Sequence, residues 1–246
     1  MLRIIQISDC HLPAVRGTAY RGRDAYAAVE AVLGLVEDWS PDLLLATGDL
    51  SEDASPDAYR WLARKLAKLG TPVLAIPGNH DHAGRMNEWF EHAAVDAPLV
   101  YDCQGWRLVM LDSAPPGLIA GQFSARQLDQ LEAALLGSDA PKLVALHHQP
   151  VPVGSAWIDR YPLLEAERFW SRVSGDRQVR LVCWGHVHQA FEQQLDGLLA
   201  LGAPSTVSNS LPGQPRFSWD GRGGACRWLK LAPDGTVETG LLTLEV

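Results

Sequence analysis

The sequence predicts an α/β protein with two sheets packed face to face and helices outside, and three observations carry that reading. Short apolar runs alternate with amphipathic stretches of helical period through the first two-thirds of the chain. Beyond residue 184 the pattern turns to hairpins, with Asp196-Gly197 and Asp234-Gly235 as tight-turn dipeptides between apolar runs. A length of 246 residues fits one domain, residues 1–246, and an apolar fraction of 47% is enough to bury a full core between such layers.

Leu2–Ile7 reads as a strand that runs directly into a polar motif. Residues 23–39 read as a helix, because Ala25, Ala28, Val29, Val32, Leu33 and Val36 recur at helical spacing. Leu43–Thr47 is a second strand, 56–69 a second helix and 72–76 a third strand, followed by a short helix near 85–91. Strands are expected at 99–102 and 106–112. Ser124 with Gln127 forms a capping box for a helix that runs to 136. Strands follow at 142–147 and Val179–Trp184, with a polar loop at 153–161 between them.

The formal charge of -8 repels nucleic acid and anionic membranes, and no Lys/Arg cluster reverses it locally. A small anionic substrate therefore needs concentrated positive charge inside its site, which bound metal ions would supply. The apolar runs 43–46, 143–146 and 198–201 are too short to cross a bilayer, and MLRIIQISD leaves no room for a signal sequence. Cys10, Cys103, Cys183 and Cys226 form no CxxC pair, so free thiols and a cytoplasmic protein are expected.

At five places an apolar strand ends and a metal-capable side chain follows at once: Asp9-Cys10-His11, Gly48-Asp49, Gly78-Asn79-His80-Asp81, His147-His148 and Gly185-His186-Val187-His188. Ligands in open α/β sheets bind beyond the carboxyl ends of strands, where five such ends can converge. In an extended strand end residues i and i+2 point the same way, which pairs Asp9 with His11 and His186 with His188. Any one such pair is commonplace, and a single buried histidine is usually a satisfied core residue. Yet six of the eight histidines lie in these blocks: His11, His80, His147, His148, His186 and His188. His82 and His92 fall outside and read as surface or packing residues, and Asp24, Asp53 and Asp57 as loop or helix-start residues. Carboxylate and imidazole ligands without thiolate suit Mn, Fe or Zn better than Ca. Trp157, in the loop after the HH pair, is placed to cap a base or ester group.

The blocks DCH, GD, GNHD, HH and GHVH, in this order over residues 9–188, resemble the signature of the calcineurin-like metallophosphoesterases. The stretches LLLATGDLSEDASPDAY, LAIPGNHD, LHHQPVPVGSAWIDR and WGHVHQ are similar to the class III bacterial 3′,5′-cyclic nucleotide phosphodiesterases within that superfamily. One departure is Gln149, which bears on substrate preference and leaves the metal site untouched; the tail from Ser205 onward matches only loosely. The resemblance implies a four-layer sandwich of two mixed β-sheets flanked by helices. It also implies two first-row metal ions, Mn and/or Fe foremost with Zn as a further candidate. Asp9, His11 and His188 would hold one ion, Asn79, His147 and His186 the other, and Asp49 would bridge them. His148 is the alternative to His147. Asn79 and His80 would contact the substrate phosphate, His80 would protonate the leaving oxygen, and Asp81 would orient His80. The implied reaction is hydrolysis of 3′,5′-cyclic nucleotides such as cAMP to 5′-nucleotides by a metal-bridging hydroxide. Glycerophosphodiesters or other small phosphodiesters are the alternative substrates. A non-catalytic scaffold of the same fold is the reading from another class, and the complete ligand set argues against it.

Overall fold

Strand β1 (Leu2–Ile7) serves two cores at once. Leu2 and Ile4 enter a layer between two sheets, whereas Ile5 and Ile7 face helices on the other side, as the period of two demands. The structure, a computed structural model, describes residues 1–95 and 97–244. β4 (Leu43–Thr47) repeats the division with Leu43 and Leu45 against Leu44 and Ala46. In the other sheet β9 (Lys142–Leu146) sends Leu143 and Ala145 inward and Val144 and Leu146 outward. Strands buried on both faces read as continuous apolar runs, which is why the sequence shows them as blocks.

The first sheet contains β1, β4, β5 (Val73–Ile76), β6 (His92–Ala93), β13 (Ala225–Leu231) and β14 (Val237–Thr243), in the order β14-β13-β1-β4-β5-β6. Its members β1, β4, β5 and β6 run parallel, while β13 joins β1 antiparallel. The second contains β7 (Leu99–Cys103), β8 (Trp106–Met110), β9, β10 (Val179–Trp184), β11 (Phe191–Leu195) and β12 (Leu198–Gly202), in the order β11-β12-β10-β9-β8-β7. There β8, β9, β10 and β12 are parallel, with β7 and β11 antiparallel at the edges. Helices α1 (Ala25–Trp39) and α2 (Pro56–Ala67) cover the first sheet through Val29, Val32, Tyr59 and Leu62. Helices α4 (Ala125–Leu136) and α6 (Ala166–Val173) cover the second through Leu128, Leu131, Phe169 and Val173. The four-layer sandwich of two mixed sheets is as the sequence implied.

Local signals placed most boundaries, and the departures have local causes. Asp24 caps α1 by accepting from Ala27 N at 3.1 Å, so the helix starts at Ala25, after a small hairpin of β2 (Ala19–Tyr20) and β3 (Arg23–Asp24). The helix expected near 85–91 is the shorter α3 (Ala83–Met86), after which single turns carry the chain through Phe90. The loop expected at 153–161 contains a further turn of helix, α5 (Ala156–Asp159), which carries Trp157. The sequence reading missed α6, because eight residues with only Phe169 and Val173 buried show too little periodicity. The Ser124–Gln127 capping box is formed, and both Asp-Gly dipeptides lie between paired strands. Among the described residues no helix is long and apolar enough to cross a membrane.

Two buried polar side chains tie the sheets together. Gln6 Nε2 reaches Thr47 Oγ1 at 3.0 Å and Trp184 O, in the other sheet, at 3.1 Å. Arg227 of β13 donates across the gap to Phe191 O at 3.2 Å and Gly202 O at 3.1 Å, and to Thr239 Oγ1 of β14 at 3.0 Å. Burial pulls its guanidinium down to about 10, so it is still charged at neutral pH and its hydrogen bonds are charge-assisted. Arg227→Ala, which strands those carbonyls, should lower the free energy of unfolding by about 2–4 kcal/mol. Urea denaturation followed by tryptophan fluorescence measures this, and an unchanged midpoint would rule out a bracing role for Arg227.

Candidate metal centre

Five strands, β1, β4 and β5 of one sheet and β9 and β10 of the other, run out into loops that open with the five motif blocks. Asp9 N donates to Gly48 O and His11 N to Asp49 O, both at 2.9 Å, while Gly185 N donates to His147 O at 3.1 Å. The loops are thus sewn to one another before any side chain is considered. Their backbone is not the extended strand end that the i, i+2 argument assumed. Asp9 (φ 54°), His11 (φ 40°), Asp49 (φ 51°), His186 (φ 65°) and His188 (φ 46°) are all left-handed. The pairs still share a direction, with Cys10 and Val187 buried in the cores behind them, but the tight left-handed turns bring this about. Such conformations are uncommon for residues with a Cβ and concentrate at functional sites.

Close packing dictates three motif glycines; a Cβ on Gly185 would lie 2.0 Å from Ser8 Oγ. A Cβ on Gly78 would lie 2.2 Å from Asp49 Oδ1, and one on Gly48, whose φ is +94°, would lie 2.4 Å from His147 Nδ1.

The side chains form a chain of short separations. Asp49 Oδ2 lies 3.4 Å from His147 Nε2 and 3.7 Å from His11 Nε2. Asp9 Oδ1 lies 3.3 Å from His188 Nε2 and 3.9 Å from His11 Nε2. Ligand atoms of Asp9, His11 and His188, of Asp9, Asp49 and His147, and of His147, His148 and His186 each fall within 4.8 Å of one another. Tautomers follow from the outer partners. His11 Nδ1 faces Glu52 Oε2 at 2.6 Å, His147 Nδ1 faces Thr47 O at 2.7 Å, His186 Nε2 faces Tyr161 O at 3.0 Å and His188 Nδ1 faces Ser208 O at 2.9 Å. Each of these rings donates one N–H outward and keeps one lone pair for the centre, the arrangement of metal-binding histidines.

His148 differs. Its Nδ1 accepts from Ser113 Oγ at 2.9 Å and its Nε2 donates to Ile119 O at 3.0 Å, so no lone pair is left for the centre.

The centre fits a pair of cations. Buried Asp9 Oδ1, Asn79 Oδ1 and His147 Nε2 have no hydrogen-bond partner. His11 Nε2 and His188 Nε2, both lone-pair bearing, face each other at 3.1 Å. Buried acceptors turned on one another in this way are unfavourable without a cation between them. Burial pushes the Asp49 carboxyl up, but His147, His11 and His80 outweigh it and hold it well below the usual carboxylate range. Burial likewise opposes charging of His147, yet Asp49 and then Asp9 raise it to about 9. Burial holds His186 and His148 well below the ordinary imidazole value, helped by like-charged neighbours, His147 beside His186 and His186 beside His148.

His80 stands beside this group, with its N–H donating to Asp49 Oδ1 at 2.8 Å and its ring edge-on to His11. Its ring is oriented by Glu52, through the carbonyl at 3.0 Å and Oε2 at 3.3 Å, and not by Asp81. Asp81 instead accepts from Leu50 N, Ser51 N, Gly78 N and the Tyr59 hydroxyl at 2.9–3.1 Å, pinning the loops that carry Asp49 and Asn79. Burial and the Asp49 charge push the Asp81 carboxyl up to about 6 against those donors.

Trp157 stands with its ring 6.3 Å from His188 and 5.3 Å from Phe217, and Gln149 holds its helix by donating to Ile158 O at 2.9 Å. Tyr20 stacks on His11 at 4.1 Å, and the Arg21 guanidinium lies 3.8 Å over Phe217. The sequence reading missed Glu52, Tyr20, Phe217 and the tail residues Ser205 and Ser208. Ser205 Oγ donates to Asp9 O at 2.8 Å, so the tail braces the first motif. The one signal for Glu52 was its place three residues after Asp49; the others come to the site only through tertiary packing.

Known proteins agree with this geometry. Residues 2–190 match the calcineurin-like phosphoesterase family. The chain is 37% identical over 241 residues to the 3′,5′-cyclic adenosine monophosphate phosphodiesterase CpdA of Pseudomonas aeruginosa, covering 97% of this chain and 88% of that protein. It is 34% identical over 244 residues to CpdA of Escherichia coli, with the same two shares, 97% and 88%. A dimetal phosphatase from Danio rerio superposes with a TM-score of 0.69 at 16% identity over 98% of either chain, a likeness of fold. With the five blocks, the paired centre and a match over three-quarters of its length, the chain belongs to the calcineurin-like phosphoesterase family.

Proposed function

We propose that the chain is a dinuclear-metal phosphodiesterase that hydrolyses 3′,5′-cyclic nucleotides, cAMP foremost, to 5′-nucleotides. The observation that carries it is the position of Asp49 Oδ2 between His147 and His11, with lone pairs of four imidazoles turned inward around it. The substrate is supported by the near-full-length likeness to two proteins named as cAMP phosphodiesterases. Asp9, His11 and His188 are proposed for one ion, Asn79, His147 and His186 for the other, and Asp49 for both. Two first-row ions of this kind, Mn or Fe foremost, supply Lewis acidity towards the phosphoryl group and water activated near neutral pH.

The chain's own residues supply the rest. Burial opposes charging of His80, but Asp49 and Glu52 raise it above the ordinary imidazole value. With Nδ1–H engaged by Glu52, the charged ring offers an Nε2–H to the phosphoryl oxygens and then to the leaving 3′ oxygen. Asn79, whose buried Oδ1 has no hydrogen-bond partner, would supply a ligand atom. Trp157, with Tyr20 and Phe217, forms an aromatic rim that suits a flat base. Four unpaired cysteines agree with a cytoplasmic protein. A diesterase for glycerophosphodiesters or other small diesters is the second reading, since the same centre serves any of them.

With Mn²⁺ loaded, the protein should convert cAMP to 5′-AMP, and Asp49→Ala should lose turnover and bound metal together. Chromatography of the nucleotide products and elemental analysis check both. Cleavage of an aryl diester with negligible cAMP turnover would favour the second reading, and near-wild-type activity of Asp49→Ala would overturn the scheme.

His80→Ala should keep both ions and lose roughly 10²–10⁴-fold in turnover of cAMP. The loss should shrink for aryl diesters, whose leaving groups need no proton; equal losses on both substrates would remove the acid role.

Without metal, Asp49 and Asp9 raise His147 to about 9 against its burial, so at neutral pH the inward nitrogen that would ligate an ion takes up a proton, which a ligand imidazole must give up. Loading therefore displaces that proton, and affinity should rise with pH until about 9. Adding Mn²⁺ to metal-free protein in weak buffer at pH 7 should release protons. An uptake of metal without proton release would count against His147 as a ligand.

A further inference from the structure

Arg21 stands inside the aromatic rim. Its guanidinium carbon lies 3.8 Å from the ring centroid of Phe217, 5.4 Å from that of Tyr20 and 5.9 Å from that of Trp157. The three rings in turn flank two residues of the metal centre. Tyr20 stacks on His11 at 4.1 Å, and Trp157 and Phe217 lie 6.3 Å and 6.2 Å from His188. Whatever group of a substrate enters this rim therefore meets the guanidinium as well as the rings.

Arg21 is also held in place. With Gly22 it forms the turn between Tyr20 and Arg23, which pair as β2 and β3, and both turn residues are left-handed at φ 48° and 78°. Its Nε donates to the Tyr20 hydroxyl at 3.0 Å, and Phe217 takes its face. Burial pushes the Tyr20 hydroxyl up from its ordinary value, so it accepts this bond without neutralising the charge. Among the described residues Arg21 forms no ion pair, and the N–H groups of its two Nη atoms have no acceptor. A guanidinium fixed by one bond and one ring, with its fork open, suits a planar pair of acceptors on the ligand.

The metal centre takes the phosphoryl group, so the part of a cyclic nucleotide left for the rim is the base. Guanine presents O6 and N7 on one edge, two acceptors for such a fork. Adenine presents N7 beside the N6 donor, which opposes it. We propose that Arg21 is a specificity-determining residue that reads the O6/N7 edge of guanine, so that the site takes cGMP as well as cAMP. This rests on the cyclic-nucleotide reading of the site and extends it from one purine to both.

The test uses the metal-loaded full-length protein. Wild type, Arg21→Ala, Arg21→Lys and Arg23→Ala are assayed for kcat/KM on cAMP, cGMP and 3′,5′-cyclic IMP, with bound metal counted in each. The readout is the ratio of cGMP to cAMP, from which any general change in the centre cancels. Arg21→Ala should lower that ratio roughly 5- to 100-fold, mainly through KM. Arg21→Lys keeps the charge without the fork and should lower it as far. Cyclic IMP, which shares O6 and N7 with cGMP but lacks the 2-amino group, should follow cGMP. Arg23→Ala removes an equal charge from the same hairpin, where that side chain lies 4.0 Å over Trp219, and should keep the wild-type ratio. An unchanged ratio in Arg21→Ala would overturn the proposal. So would a wild-type ratio in Arg21→Lys, which would leave only an effect of charge, or wild-type turnover of cAMP with none of cGMP. Wild-type cleavage of an aryl diester with turnover of neither nucleotide would instead overturn the cyclic-nucleotide reading, and this inference with it.

Discussion

The site depends on one buried carboxylate placed between the two sheets. Asp49 leaves β4 of the first sheet, yet its Oδ2 stands close to His147, which leaves β9 of the second, and to His11, which leaves β1. A carboxylate out of water is costly unless charges and donors surround it, so the neighbouring loops must approach closely from both sides. That requirement explains Gly78 and Gly48 at the points of closest approach, the His80 amide on Asp49 Oδ1, and Asp81 as the clamp of both loops. It also explains why Gln6 spans from Thr47 to Trp184, where the two sheets meet at the foot of the site.

The five left-handed residues are the other face of the same constraint. Each costs on the order of 1 kcal/mol, and none would persist in an isolated loop. They hold because hydrogen bonds run from loop to loop, and because Cys10 and Val187 are anchored in the cores between each pair of site residues. The inter-sheet core of Leu, Ile, Trp and Met side chains makes both sheets one rigid support. Precision at the centre is therefore a property of the packing beneath it.

Around the centre the character changes. Tyr20, Arg21, Trp157 and Phe217 come from three separate segments and form an aromatic and cationic rim beside His11 and His188. The sandwich is shared with a dimetal phosphatase at 16% identity, a likeness of fold, and a fold does not by itself fix a substrate. Rim residues of this kind lie on loops and short elements, where a sequence can vary with little cost to the strands beneath.

Much of the architecture was local enough to be read from the chain. An apolar run followed at once by Asp, Asn or His marks a strand end at a site. The Ser124–Gln127 box and the two Asp-Gly turns mark their elements within a few residues. What the sequence by itself determined was therefore which residues could meet at the strand ends and in which elements they lie. Tertiary structure decided how they meet. His147 and His148 are adjacent and identical in type, and only Thr47 on one side and Ser113 with Ile119 on the other decide which keeps a lone pair inward. Glu52 pairs with His11 across 41 positions, and Ser208 with His188 across 20. Phe217 reaches the rim from a tail with no motif of its own. Residue pattern encodes the period and end of an element, whereas a hydrogen bond between distant segments exists only once the layers have packed.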